Sequence, residues 1–533
     1  MPNTKLFDTK RKISIKMATG KTSEGHPAYS LHAEQVLAEL ACVGTFQNTY
    51  YNEASTQLKT LLAMAAEVSD EFLARVAVYS RENGYMKDMP AALLAVLSTR
   101  NPKLFRRVFS RIVDNPRMIR TFVQIMRSGA VGRKSLGNAP KKMVQQAIQN
   151  MPAFLMLNST VGNDPSMADV IRMVHPCPIG TEKMTKNEMQ AAFAWIIGKE
   201  YDFDDLPEVF RHYEMFKAGD VKQLPRCNFR LVDGLETMTD DHWRQLGYSM
   251  NWTTLKMNLN TLGRHNAWKD SALVGHAVKL LADEDKVAAS RCFPYSMMTG
   301  FNYLSSDVPA SIKGALQDAL ELSVGNVPAM PGKVLVTIDI SGSMQAVVGD
   351  GRGKTKCMDA AGLFGAAILK RNPDAKVTAF SESLFHRDLN PRDSISTITQ
   401  KIKGNGFHGS TRWDVAIAWA LENKEKFDAI IWVSDMEANM DSLRSPGRNY
   451  GWGGDSTYAQ DLIERYRRTV NKDVKIITIN MAANGGHAQV DGEFDPNILQ
   501  VAGFSDHVFD VIASFMKAKE SGHWVKMIST LKI

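Results

Sequence analysis

KVLVTIDISGSM, residues 333 to 344, decides the fold. A run of aliphatic and β-branched residues that ends in Asp339, Ser341, Gly342 and Ser343 reads as a buried strand delivering a polar turn at its carboxyl end. Downstream, runs of the same kind recur as AKVTAF (375–380), FDAIIWVSD (427–435) and VKIITINM (474–481). Helical periodicity fills the intervals, at 357–371, 394–402, 414–423, 459–470 and 506–517. Short apolar strands alternating with helices specify a doubly wound, mostly parallel sheet, whose ligands collect at the carboxyl ends of the strands. This α/β unit is assigned to 333–533.

Upstream of VGNVPAMPGK (324–333), a linker containing Pro and Gly, the pattern changes. From about 30 to 325 helix follows helix, as in EFLARVAVYSREN (71–83), KLFRRVFSRIV (103–113), RMIRTFVQIMRS (117–128) and ASIKGALQDALELS (310–323). Apolar residues recur at three and four, and Asn-Pro or Gly breaks punctuate them. Segments of this length with short turns and no strand signal suggest stacked helix pairs of the HEAT type over 26–325, after a basic segment at 1–25. The stretch 150–190 is less regular and reads as including a long loop.

The chain has 533 residues, with 44% hydrophobic and 23% charged, which is ordinary globular composition and excludes a disordered or collagen-like protein. No apolar run is long enough for a membrane span, and the N-terminal stretch lacks the apolar core of a secretory signal, so a cytoplasmic, monomeric protein is expected. Five widely spaced cysteines fit neither a disulfide framework nor a metal knuckle. The net charge of +7 is unevenly placed. Residues 101–150 hold Lys103, Arg106, Arg107, Arg111, Arg117, Arg120, Arg127, Arg133, Lys134, Lys141 and Lys142 against one acid, Asp114, whereas 331–533 is nearly neutral. So little counter-charge points to a polyanion partner for the helical half. Phe105, Phe109 and Phe122 stand at helical spacing and read as core rather than as a stacking platform.

In the α/β half, three loops at strand ends or helix starts carry oxygen ligands: Asp339, Ser341 and Ser343, then Thr411, then Asp435. Two carboxylates with neutral hydroxyls suit a hard divalent cation, Mg²⁺ above all, and leave it able to take an acid from a partner. Other motifs fail on spacing. GDGRGKT (349–355) is one residue short of a phosphate loop, no GxSxG or HExxH occurs, and Ser341 stands where an aspartyl phosphatase needs its second Asp. No enzyme is indicated.

The order DISGSM, GSTRWD, VSDME resembles the metal-ion-dependent adhesion site of a von Willebrand factor A domain, and the helical half resembles the TROVE module. Together they resemble the Ro family of RNA-binding proteins, in a bacterial-type form, with supporting stretches CVGTFQNTYY (42–51), DVIRMVHPCP (169–178), RCFPYSMMTGFNYL (291–304) and AGFSDHVFDVI (502–512). The resemblance implies a ring of helical repeats closed by the A domain. It also implies a noncoding Y RNA on the outer basic surface, where Arg172 and His175 match the family stretch, and ends of misfolded or precursor RNA entering the ring. An exoribonuclease such as polynucleotide phosphorylase is the partner it implies. The chain departs from the family in two places. Thr411 is followed by Arg412 and Trp413, with Asp414 two positions late, and Ala168 replaces a common Lys. A glycine-rich insert, 439–456, is particular to this chain. The rival expectation is a metal-dependent protein-interaction adaptor like the A-domain subunits of chelatases.

Overall fold

The computed structural model of the chain describes residues 19–22, 27–43, 54–162, 165–290, 292, 294–347, 355–404, 409–439, 458–482, 487–491, 495–502, 507–517 and 524–533. Most of the basic segment 1–25, of the loop 349–355 and of the insert 439–456 lies outside these residues.

The helical half begins with α1 (Ala33–Val43), α2 (Ala54–Glu67), α3 (Asp70–Glu82), α4 (Asp88–Arg100), α5 (Pro102–Ile112), α6 (Pro116–Ser128), α7 (Asn138–Gln149), α8 (Ala153–Asn158) and α9 (Met167–Val174), and continues to a helix at Ala310–Ser323. The Asn-Pro breaks are helix starts. Asn101 accepts a hydrogen bond from the Leu104 amide and Asn115 from that of Met118, each with Pro at the first helical position. Gly129, at φ 87°, ends α6 in the left-handed conformation that glycine adopts without a Cβ clash. Phe105, Phe109 and Phe122 meet with ring centroids 5.5 to 5.9 Å apart, fully buried between α5 and α6, as their spacing predicts.

The second half is a six-stranded sheet in the order β5-β4-β3-β6-β7-β9, made of β3 (Val334–Asp339), β4 (Lys376–Phe380), β5 (Leu384–His386), β6 (Ala429–Ser434), β7 (Lys475–Asn480) and β9 (Ile498–Ala502). All pairs are parallel except β4 with β5. The edge strands β5 and β9 carried no signal strong enough to be read from sequence. The helix Cys357–Arg371 lies close on β3 because Gly365 has no Cβ; one built there would sit 3.1 Å from Ile338 Cγ1.

A strand-free helical half is not what forms. β1 (Gly20–Lys21) and β2 (Pro27–Ser30) precede α1, and β2 pairs antiparallel with β8 (His487–Ala488) of the second half. Four residues between polar ends give too short an alternation to register as a strand until a partner some 460 positions away supplies the ladder.

Both ends of the helical array rest on the sheet domain. At one end α1 packs on β9, and the Gln35 amide donates to Gln500 Oε1 at 2.7 Å. At the other, Glu321 pairs with Lys370 at 2.9 Å and accepts from the Ile395 amide at 2.7 Å. The chain thus closes into a HEAT-like helical ring completed by a von Willebrand A-type domain. One apolar core runs from α1 through the helices into one face of the sheet, and a second fills the opposite face.

Candidate metal rim and basic face

β3, β6 and β7 end side by side, so the residues after each strand share one rim. Asp339 and Ser434 project from the same sheet face, and the Ser434 hydroxyl donates to Asp339 Oδ2 at 2.6 Å. The other carboxylate oxygen accepts from the Ser341 amide at 2.9 Å, which folds the turn back so that Ser341 Oγ comes within 3.2 Å of Ser343 Oγ. Ser343 in turn hydrogen-bonds the Asp435 side chain. Four of the five predicted oxygen ligands therefore form one connected cluster, all of it buried.

Thr411 is placed at the rim by its neighbours. Its amide donates to Asn439 Oδ1 at 2.8 Å, beyond β6, and the Arg412 amide donates to Ser381 O at 2.8 Å, beyond β4. Since β3 lies between β4 and β6, this loop straddles the end of the strand that carries Asp339.

The Arg412-Trp413 departure has a structural reason. Asp414, displaced from the family's position, takes the Arg412 guanidinium at 2.8 Å and is itself buried. Trp413 stacks on Trp432 of β6, centroids 5.7 Å apart and 10° from parallel, with Phe380 of β4 edge-on. The loop is thus anchored by aromatic packing under the rim, with its extra cation neutralised locally.

Burial pushes the Asp339 and Asp435 carboxyls well above the usual carboxylate range, and for Asp435 the nearby Asp339 charge pushes in the same direction. Two buried carboxylates that repel each other, beside three hydroxyl groups, fit a small hard cation better than they fit each other. Among the described residues no cluster of three or more His, Cys, Asp or Glu forms a metal site, so any cation here would depend on the Ser and Thr oxygens. Sequence reading placed Ser434 in one loop with Asp435 but gave it no role; that role shows only once β3 and β6 are neighbours.

The basic stretch divides in two. Lys103, Arg106, Arg107, Arg117, Arg127, Lys134 and Lys142 are exposed, on α5, α6, α7 and the loop between the last two. Arg111, Arg120, Arg133 and Lys141 are half-buried. Arg111 is committed, to both Glu82 oxygens at 2.7 Å and to Lys532 O at 2.6 Å, and Arg133 donates to Ser98 Oγ. The single acid of the stretch, Asp114, is held by Arg81 at 2.8 Å and does not offset the exposed cations.

Arg172 and His175 are exposed at the end of α9, where His175 closes the helix in the left-handed conformation at φ 49°. Arg172 donates to Ile197 O at 2.6 Å. It also lines a cleft of about 640 Å³ between α6 and α9 with Arg127, Ser128, Asp169 and Met173. Arg127 and Arg172, 45 positions apart in sequence, thus reach one site. No spacing rule would have joined them.

Residues 333–516 match the family described as the Ro60 vWA domain. Two curated relatives are each named RNA-binding protein RO60: that of Deinococcus radiodurans is 26% identical over 286 residues, and that of Caenorhabditis elegans 23% over 261. These alignments cover 50% and 47% of this chain but only 49% and 38% of the relatives, so the chain spans about half or less of their length. The crystal structure of the Deinococcus radiodurans RO (RSR) protein superposes with a TM-score of 0.61 at 19% identity, over 91% of this chain and 99% of that one, which establishes the shared fold.

Proposed function

We propose, from the premise that residues 333–516 are a Ro60-type von Willebrand A domain in a chain of bacterial Ro type, that this protein binds RNA without catalysing its cleavage. The observation that carries the reading is the exposed face of α5 to α7 away from Arg127, with Lys103, Arg106, Arg107 and Arg117, cations that have no counter-charge among the described residues. Such a surface tracks phosphates and reads no bases, so its selectivity comes from requiring a free strand beside structured RNA. The substrates proposed are single-stranded ends of misfolded or precursor RNA, in quality control, ribosomal RNA maturation or decay in the cytoplasm, with an exoribonuclease as partner. A small Y RNA is assigned to the outer cleft between α6 and α9. Among the described residues no helix is long and apolar enough to cross a membrane.

The cleft assignment gives a prediction. Arg127→Ala with Arg172→Ala is expected to weaken a Y-type stem-loop by about tenfold or more in filter binding, each guanidinium contributing a charge-assisted contact to phosphate, while a single-stranded tail loses little. Equal losses for both ligands would reject a separate site.

The rim is proposed to hold Mg²⁺, with Asp339 and Asp435 supplying charge and Ser341, Ser343 and Thr411 neutral oxygen. Water or a partner's carboxylate would complete six-fold coordination. Asp339→Asn is a cleaner test than alanine, because its side-chain oxygen can still accept from the Ser341 amide or Ser434. Removing only an outer partner of a metal ligand costs about 10- to 100-fold in affinity; the Asn variant is expected to lose at least the upper figure for Mn²⁺ by titration. RNA binding should stay within about twofold, since phosphate contacts are assigned to the other half. The adaptor reading predicts the reverse priority: the wild-type protein would purify at low salt free of nucleic acid.

A further inference from the structure

The two joints between helices and sheet domain differ in kind. At the Ala310–Ser323 side the backbone itself continues into β3, and the ion pair of Glu321 with Lys370 and the bond from the Arg371 guanidinium to Val327 O add to a shared apolar core. That joint stays tethered by the backbone even when its contacts open. At the α1 side no covalent bond crosses, so this is where the two halves can part and rejoin.

Where α1 meets β7 and β9 the joint is neutral and buried; around it β2 pairs with β8, and the helix Trp524–Ser529 packs on α3, with Arg75 and Arg111 donating to the carbonyls of Leu531 and Lys532. Besides the Gln35 to Gln500 bond, the Asn480 amide at the end of β7 donates to Glu39 Oε2 at 3.2 Å, and both side chains are buried. Among the described residues no cation pairs with Glu39. The described titratable groups near it are Cys42 on α1 and Tyr79 on α3. Burial holds the Cys42 thiol up at about 12, with Glu39 adding to the shift, and burial also raises the Tyr79 phenol, so both stay neutral near physiological pH. His32 and Glu34, on or just before α1, are exposed. A carboxylate in this seam would be a charge buried against amides and apolar side chains with nothing to offset it.

We infer that the α1 joint is the ring's releasable seam and that the Glu39 carboxyl is its latch, holding while protonated and loosening once ionised. Burial moves this group from its ordinary 4.5 to about 8. The sign follows from that direction: the docked joint is fully stabilised below 4.5, and the stabilisation drains away as pH climbs toward 8. A closed ring admits only the free end of a strand, whereas an opened one also admits a strand without ends.

The test is amide hydrogen exchange of residues 33–43 in the full-length protein at pH 6 and pH 9, corrected for intrinsic rates. The wild type should lose protection by about a hundredfold across that range, from the two pKa values applied to the opening equilibrium. Glu39→Gln, which keeps the size and the bond to Asn480 without an ionisable proton, should stay flat, as should the 310–323 helix in both proteins. A flat wild type, or an equal fall in the Gln variant, overturns the latch. A second arm rests on the RNA reading: a circularised oligouridine added at pH 8.5 and returned to pH 6 should survive a high-salt wash that strips the exposed basic face, whereas one added at pH 6, or to Glu39→Gln at either pH, should wash off. If the linear oligomer also fails to bind, the RNA reading falls, and the exchange result alone decides the latch.

Discussion

Reversing the charge of Arg106, Arg107 and Arg117 together should weaken binding of single-stranded RNA by about a hundredfold at 0.1 M salt. Each phosphate contact on a single strand contributes about 0.7 to the slope of log affinity on log salt, so losing three removes about 2 from the slope and about two decades of affinity at that concentration. The loss should be similar for unrelated sequences, because phosphates carry no base identity. Arg111→Glu is the informative control. Its guanidinium is already spent on Glu82 and on the carbonyl of Lys532, so the change should loosen α5 and the C-terminal residues while moving the salt slope little. Unchanged titrations for the triple variant, or a larger slope change for Arg111 than for the three exposed arginines, would remove the basic face from the binding site.

That contrast marks where sequence reading ran out. Charge count located the basic stretch, and helical period placed Phe105, Phe109 and Phe122 inside, because both properties are local. Whether Arg111 faces a phosphate or Glu82 depends on how α5 sits against α3, which a count of charges does not encode. The strands β3, β4, β6 and β7 were legible as continuous apolar runs, since a parallel strand buried on both faces has no other option. β9 was missed although all five of its residues are buried, because Gln500 interrupts the apolar run. That glutamine is there to meet Gln35 from α1, so the signal that hid the strand is the same residue that builds the joint. At the rim, DISGSM and VSDME pointed to the oxygen-bearing residues that cluster there, but the hydroxyl link from Ser434 to Asp339 required knowing that β3 and β6 are adjacent.

Trp413→Ala is expected to have the largest effect on the sheet domain, destabilising it by about 3 to 5 kcal/mol, as large-to-small changes of buried aromatics do. The indole is 2% exposed, lies on Trp432 and meets Phe380, so its removal opens a cavity under two strands that border β3. Thermal or denaturant melts followed by tryptophan fluorescence would measure it. The consequence for the rim is separable. Thr411 is two positions away and its loop is tied to Ser381 and Asn439 through the backbone of 411 and 412, so the loop should loosen well below the melting transition. Mn²⁺ affinity measured where the variant is still folded should therefore fall, whereas Phe122→Ala, an equally severe change in the helical half, should leave it alone. Equal metal affinity in Trp413→Ala and wild type would show that the aromatic anchor does not position Thr411.

The bond between Gln35 and Gln500 joins residues 465 positions apart. During synthesis at about 5 to 20 residues per second, α1 leaves the ribosome roughly half a minute to a minute and a half before the strand it must rest on. For that interval the surface of α1 that will face β9 has no seat, while α3 and α4, which are available early, can cover another part of it. The nascent protein is therefore an open arc with an unpaired leading edge, exposed to aggregation and to capture by chaperones until β9 has been made. Ring closure is timed by the stretch of message that separates α1 from β9.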